Sequence, residues 1–600
     1  MMDLSEHQQD PSRLPERALH IAVLTESSVW RVFWSWIRGC DIILLKSEPS
    51  TVLMRKALFF IESTLCRSSR VSRFEDGADA DSLAIQEEWT FIYPDFFSQL
   101  EPEIEHRFNF SKIDAMLEPL AAPYKQIVCK QAEVDIKNAT RIRALENVYG
   151  QRRCTLCGIS PGVMRAFQNY FGRSPAYPVV ERKESSVFLN SLSAGVSLVA
   201  SMFYLIAHVS SAKPQPRTYH IAADITVFDW RHIQLLGAIV TSPQDLLLVF
   251  RNRRELSTAK QAWKEAAEFD LVVQSDGIID PKLILPYARI LFREMSQLLK
   301  FCFSLPSNIF SEIVKIPPKN LALRAFNDKY QYRISFGKDD YNFDHLLRTE
   351  LMRTRGIPAV GINHGLPVPE IINPVWRYID FDIYFVFGRA IQSHYQRTWG
   401  SKMEVSAVGV LAMTPVQFKL AQSERDHDFV VFYTPIPEFR EWLEEIVKLA
   451  KSFPNHRFYL KHKRSQPGRI RSVIEALGDS LPENIIETGD KATDLILNCR
   501  YAVVTRNSTV AAEAIQLKSL AYVLDVSPVD MVSYYRLFDG LVFAGAKAIA
   551  ADIHDIAAGR KSYARENYRD LIATPRQPIA ELVKHALAQV SADAIRVAAE

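Results

Sequence analysis

Cysteine is scarce in this chain, with seven in 600 residues. Usage at that level suits a reducing compartment and excludes a small fold stapled by disulfides. Only Cys154 and Cys157, in RRCTLCG, stand close together. No second CxxC or Cys/His cluster follows at zinc spacing, so the pair reads as structural thiols, with a zinc or redox site as the alternative. An excess of either charge is missing too: 72 Lys and Arg against 69 Asp and Glu leave +3 with His neutral. That balance gives no warrant for a nucleic-acid polymer as partner. GxGxxG, GxxxxGK[ST] and HExxH do not occur, which argues against dinucleotide, P-loop and zincin chemistry. No DxD follows a strand, and Asp339–Asp340 precedes a helix, where N-terminal capping accounts for it. No metal site is expected. Residues 1–18 lack the basic-then-apolar order of a signal peptide, so a cytoplasmic chain is expected.

What the chain does have is apolar substance, 48% hydrophobic against 24% charged residues. Over 600 residues that fills the cores of two to four domains. IAVLTES (21–27), an aromatic-rich helical stretch and DIILLKSEPS (41–50) open an α/β unit. Residues 75–215 read as a largely helical insertion. From 218 strands and helices alternate through TYHIAAD, DLLLVF, DLVVQSDG, PAVGI and DIYFVFG. A second α/β set is expected from 403, through HDFVVFYTP, HRFYLKHKR, YAVVTRNS and SLAYVLD. Its helix FREWLEEIVKLAKSF places apolar residues at 439, 442, 446 and 449, a 3.6-residue period. The expected domains are 1–395, 396–575 and a terminal helix at 576–600. Residues 185–212 contain no Asp, Glu, Lys or Arg but eight serines. That segment is long enough to span a bilayer, and its small residues favour a buried or membrane-grazing helix.

The strongest local signal is YAVVTRNSTVAAEAI, residues 501–515. A strand ends at Thr505, the turn holds Arg506, Asn507 and Ser508, and helix formers begin at Thr509. Unsatisfied N–H groups and the positive end of the helix dipole make such a turn a place for phosphate. Ser508 and Thr509 add hydroxyls, and Glu513 stands one turn further in, toward a ribose diol. A plain helix cap at Asn507 or Ser508 needs no ligand and is the other reading. In FYLKHKRS (458–465), Lys461, Lys463 and Arg464 surround His462 at a strand exit. Such a knot suits a phosphate or diphosphate leaving group, its alternative being a solvated turn. A third loop, VGINHGLPVPE (360–370), carries His364 beside Gly365. Carboxylates at strand exits are candidates for a base or nucleophile: Asp276 first, then Asp224 and Glu26, with Asp229 and Asp539 behind them. Each also fits a cap or a turn.

Taken in order, NHG, DIYFVFG, VGV, YLKHKR and TRNSTVAAEA, over about 340–530, resemble bacterial surface-carbohydrate transferases of the GT-B fold. These include capsule polysaccharide synthesis and export-initiation proteins, which are β-Kdo or related transferases. More distant are polysialyltransferases and teichoic-acid glycerophosphotransferases. Asn363 stands where these relatives commonly have glutamine, and Lys463 follows His462 where they have proline. The resemblance implies an α/β, GT-B-like fold, two Rossmann-like domains facing across a cleft, and a metal-independent glycosyltransferase. His462, Ser508 and Thr509 would hold the donor phosphate, with Lys463, Arg506 and Asn507 beside them. Glu513 would hold the ribose, and His364 would line the cleft. The donor is a substrate rather than a resident cofactor, with a CMP-linked sugar acid expected first and UDP, GDP or CDP donors as alternatives. The acceptor implied is a surface or lipid-linked glycan, reached by peripheral contact at the cytoplasmic face of the inner membrane. A sugar-nucleotide 2-epimerase, a CDP-alcohol phosphotransferase and a non-enzymatic scaffold are the other readings.

Overall fold

Strands such as LLLVF at 246–250 and IYFV at 383–386 are buried at every position. Continuous apolar runs of this kind suit parallel sheets covered on both faces, and every strand pair between named strands is parallel. In the computed structural model the described residues are, with isolated exceptions, 18–23, 28–45, 52–73, 120–149, 154–181, 187–210, 217–225, 239–262, 268–337, 343–363, 378–398, 403–409, 425–433, 439–462, 481–505, 508–526, 534–563 and 568–573, with scattered residues near 110–117, 236–237, 420–421 and 581–588. The chain divides into two compact units, 1–203 with 288–318, and 204–287 with 319–600.

The first unit carries a five-stranded sheet of β1 (Leu19–Val23), β2 (Asp41–Leu45), β3 (Val71–Arg73), β4 (Cys154–Ile159) and β5 (Val179–Glu181), in the order β3-β2-β1-β4-β5. Helices Ala121–Tyr149, Pro161–Phe171 and Val187–Ala207 lie in the stretch 75–215, most of whose first 45 residues lie outside the described residues. It also supplies β4 and β5, and β4 pairs directly with β1, so the stretch completes the sheet that the first strands open. Cys154 and Cys157 both lie on β4, three positions apart. Side chains alternate across a strand, so the two thiols face opposite sides and cannot share a metal or a disulfide. Both are buried and outside any disulfide, and burial raises the Cys157 thiol.

The second unit holds two sheets. The first joins β6 (Thr218–Ile225), β7 (Leu246–Phe250), β8 (Asp270–Val273), β9 (Gln331–Gly337), β10 (Ala359–Ile362), β11 (Ile383–Val386) and β12 (Glu404–Ala407), in the order β12-β11-β10-β9-β6-β7-β8. The second joins β13 (Asp426–Tyr433), β14 (Phe458–His462), β15 (Ile485–Glu487), β16 (Cys499–Thr505), β17 (Leu520–Leu524) and β18 (Val542–Phe543), in the order β15-β14-β13-β16-β17-β18. Within each sheet the first strand lies beside its second on one side and its fourth on the other. That is the doubly wound order of Rossmann-type sheets. Helix Phe439–Ser452 packs Trp442, Leu443, Ile446 and Leu449 into the core between it and β13, β14 and β16, as its period requires.

The segment EVSA, expected to open the last α/β set, is β12 and pairs with β11, so the last sheet begins at Asp426. Beyond that sheet the chain returns. Helix Arg569–Ile572 packs on helix Arg389–Thr398, where a Cβ on Gly388 would lie 2.3 Å from the Leu571 carbonyl oxygen. Val583 and Leu587 then join the core of the seven-stranded sheet, with Ile221, Ile334 and Ile383. Two doubly wound parallel sheets flanked by helices, with the chain end recrossing to the first, give this unit a two-lobed, GT-B-like architecture.

Candidate functional site

In a doubly wound sheet, ligands bind beyond the carboxyl ends of the strands, where the winding reverses. In the six-stranded sheet that point lies between β13 and β16. Tyr433, the last residue of β13, is in register with His462 of β14. On the other side Phe432 is in register with Val504, and Thr505 with Leu524 of β17. The four strands therefore end level, and His462 and Thr505 flank the end of β13. Two interstrand steps separate those backbones by about 10 Å.

Past Thr505 the chain turns into helix Thr509–Gln516, with Ser508 as its N-cap. The Ser508 hydroxyl accepts from the Val510 amide at 3.4 Å, so the capping reading holds in the structure. Capping leaves the helix N-terminus pointing at the reversal point, where its dipole favours an anion. Tyr535 fixes the turn from below. Its hydroxyl donates to the Ser508 carbonyl at 2.5 Å and accepts from the Ala512 amide at 3.2 Å. Burial drives the Tyr535 phenol well above its ordinary pKa, so it stays a neutral donor. Tyr535 went unread in the sequence, because its partners lie 27 and 23 positions away. Glu513 is buried, 4% exposed, with its charge felt by Tyr535. Thr509 is half-buried at the first helical position.

In the basic knot, Lys461 donates to the Gly489 carbonyl at 3.0 Å, which ties the exit of β14 to the segment after β15. His462 is placed by its backbone as the last residue of β14. Glu26, Asp229, His364, Lys463, Arg506 and Asn507 lie outside the described residues. Asn363, just before His364, is buried, and its side chain donates to Tyr395 at 3.3 Å while its amide donates to the Phe385 carbonyl at 2.8 Å.

The seven-stranded sheet reverses between β6 and β9, and Asp224 stands there, in register with Gly337. Arg348 pairs with its Oδ2, and Gln274 donates to the same oxygen at 3.3 Å. Asp224 Oδ1 and Arg348 Nη2 are buried with no partner among the described residues. Asp224 is thus a buried ion pair with one polar atom unspent on each side. Arg348 gave no sequence signal, being 124 residues from its partner.

Asp276 is arranged differently. Its side chain is 46% exposed, 3.1 Å from Lys329 Nζ, and accepts from the Tyr330 hydroxyl at 2.9 Å. The loop is clasped onto helix Ile316–Lys329, where a Cβ on Gly277 would stand 2.5 Å from the Ala325 carbonyl carbon. Burial, then the bond to Asp276, raises the Tyr330 phenol, which keeps it the donor. Asp539 is exposed in the turn after residues 534–537. Among the described residues no group of three or more His, Cys, Asp or Glu could hold a metal ion. A cavity of about 930 Å³ lies at the opposite, amino ends of β6, β9 and β10, lined by His220, Arg333, Pro358 and Lys584.

No protein-family model matches the chain, and no curated protein does. Solved structures with a similar fold include a UDP-GlcNAc 2-epimerase from Neisseria meningitidis bound to UDP-GlcNAc, at 13% identity and a TM-score of 0.36 over 62% of this chain and 100% of that one. The UDP complex of MnaA from S. aureus matches at 11% identity and a TM-score of 0.36, over 62% of this chain and 97% of that one. UGT2 of Phytolacca americana, complexed with UDP-2-fluoro-glucose and pterostilbene, matches at 12% identity and a TM-score of 0.36, over 62% and 100%. Likenesses this remote transfer no reaction to this chain. The nucleotides named in these structures are UDP or UDP-sugars and none is a CMP-linked sugar acid, so the expectation of a CMP-linked donor is withdrawn.

Proposed function

We propose that this chain is an enzyme acting on a nucleotide-activated sugar of the uridine-diphosphate class. The observation that carries the reading is the level ending of β14, β13 and β16 at the reversal point, with His462 on one flank and the Ser508-capped helix on the other. A diphosphate bridging those flanks gains the helix N-terminus, the serine and threonine hydroxyls and the basic strand exit together. Lys463, Arg506 and Asn507 belong to the same two turns in sequence.

The reaction follows one of two courses on the same bound donor. A 2-epimerase or hydrolase turns over donor alone, whereas a glycosyltransferase needs an acceptor, here the surface or lipid-linked glycan implied by the family resemblance. In a transferase, Asp276 is the accessible carboxylate for proton abstraction from the acceptor hydroxyl, whereas Asp224 is taken up by its buried pair with Arg348.

Calorimetric titration of the full chain with UDP and UDP-GlcNAc tests the reading, with Ser508→Ala and His462→Ala alongside. Binding weakened about fivefold or more in each variant is expected. Folded protein that binds neither ligand overturns it. Product analysis with and without a lipid-linked glycan then separates transfer from epimerisation.

A further inference from the structure

Helix Val187–Ala207 is turned inside out relative to an ordinary surface helix. Asn190, Ala194 and Ser201 are 1%, 3% and 0% exposed, while Phe188, Val196, Val199 and Phe203 are 74%, 62%, 69% and 73% exposed. At 100° per residue, Phe188, Leu192, Val196, Val199 and Phe203 fall within an arc of about 80°, and the buried residues centre about 180° away. The inward face is held by polar contacts. Asn190 donates to the Leu305 carbonyl at 3.1 Å, and Ser197 donates to the Val314 carbonyl at 2.5 Å. This is the one helix among the described residues long and apolar enough to cross a membrane by length and composition. Its hydrogen-bonded inner face, however, belongs to the protein.

Matching charge stands at exposed positions of the same unit, in the stretch of chain just before those partners. Helix Ile284–Leu299 leads into Phe303 and Leu305, and on its outer side Phe292 and Leu299 are exposed beside exposed Arg289, Arg293 and Lys300. Glu294, the one acid in that helix, is buried. Across these two helices the exposed side chains are aromatic, aliphatic, small polar or cationic and none is acidic, the composition of elements that lie in the headgroup layer of anionic membranes. The same unit repeats it in helix Val29–Ile37, where Trp30 and Trp34 are exposed beside exposed Arg31 and Arg38.

We propose that the outer face of helix Val187–Ala207 docks on an anionic lipid bilayer, lying in the interface rather than crossing it, with Arg289, Arg293 and Lys300 against lipid headgroups. The surface is separate from the nucleotide site and stands whether or not that site is correct.

Flotation of the full-length protein with vesicles tests it, using phosphatidylcholine alone and equal parts of phosphatidylcholine and phosphatidylglycerol. Wild type is expected to float with the anionic vesicles, to release at high salt and to be stripped by alkaline carbonate. Combined Phe188→Glu and Phe203→Glu should abolish flotation. Arg289→Gln, Arg293→Gln and Lys300→Gln, all at exposed positions, should weaken it about fivefold each and about a hundredfold together. Circular dichroism matching wild type keeps a loss of binding distinct from a loss of fold. Folded wild type that stays unbound overturns the proposal, as does a triple glutamine variant that binds like wild type. Resistance to carbonate overturns the interfacial placement in favour of insertion. A concentration-dependent dimer lost in the Phe188/Phe203 variant, without flotation, assigns the face to a second copy of the chain instead.

Discussion

At the scale of single residues, the two reversal points of the second unit are built in opposite ways. At the six-stranded sheet a neutral phenol, Tyr535, braces a turn through two backbone groups. Tyr535→Phe removes both bonds at little cost in volume. Nucleotide affinity is expected to fall about fivefold and stability by about 1–2 kcal/mol, read by titration calorimetry and urea unfolding. At the seven-stranded sheet the Asp224–Arg348 pair is buried, and breaking one side leaves the other charge uncompensated. Asp224→Ala is expected to cost about 3–5 kcal/mol in urea unfolding, and Asp224→Leu with Arg348→Met to restore most of it. A single variant as stable as wild type would remove the pair from any structural role. Neither Tyr535 nor Arg348 was legible in the sequence, since what marks each is a partner far along the chain. Ser508 was legible because its function as a cap is local, written in the strand–turn–helix pattern around it.

At the scale of elements, the sequence carries periods faithfully and pairings poorly. Trp442, Ile446 and Leu449 of the 3.6-residue repeat in FREWLEEIVKLAKSF lie on the buried face of its helix, and YAVVT and LAYVL are strands where their apolar runs put them. EVSA reads as a strand with equal ease whichever sheet it joins, because a parallel strand's neighbour is chosen by distant contacts. The central strand β9, QYRISFG, carries a weak strand signal, since its exposed Gln331 and Arg333 interrupt the apolar run and only Ile334 to Gly337 is continuously buried. One element contact was also unread: Glu445 of helix Phe439–Ser452 accepts the Ala546 amide at 2.7 Å and so caps helix Ala546–Ala557, whose own N-cap is Gly545. Burial raises the Glu445 carboxyl, but Lys448 and the Ala546 amide outweigh it and hold it below its ordinary value. The sign follows: this stabilisation is complete above the unfolded value near 4.5 and is lost as pH falls through the lower, folded value. Glu445→Gln should cost about 1 kcal/mol at neutral pH and progressively less in acid, measured by thermal unfolding across pH.

At the scale of the whole molecule, all three sheets share the reversing strand order, and among the described residues the cap, the basic strand exit and the bracing phenol come together at the six-stranded one. UDP is therefore expected to slow amide exchange around Tyr433, His462 and residues 508–512 while leaving β1 to β5 unchanged, as followed by hydrogen–deuterium exchange. Protection spread equally over the first unit would move the nucleotide site elsewhere. The returning chain end has a further consequence. Between β12 and β13 the backbone passes from one lobe of the second unit to the other, and near Ile572 it passes back. The second unit is sewn together at two places, so parting its lobes would have to strip the Leu571–Ile572 backbone from Gly388 as well as stretch the first passage.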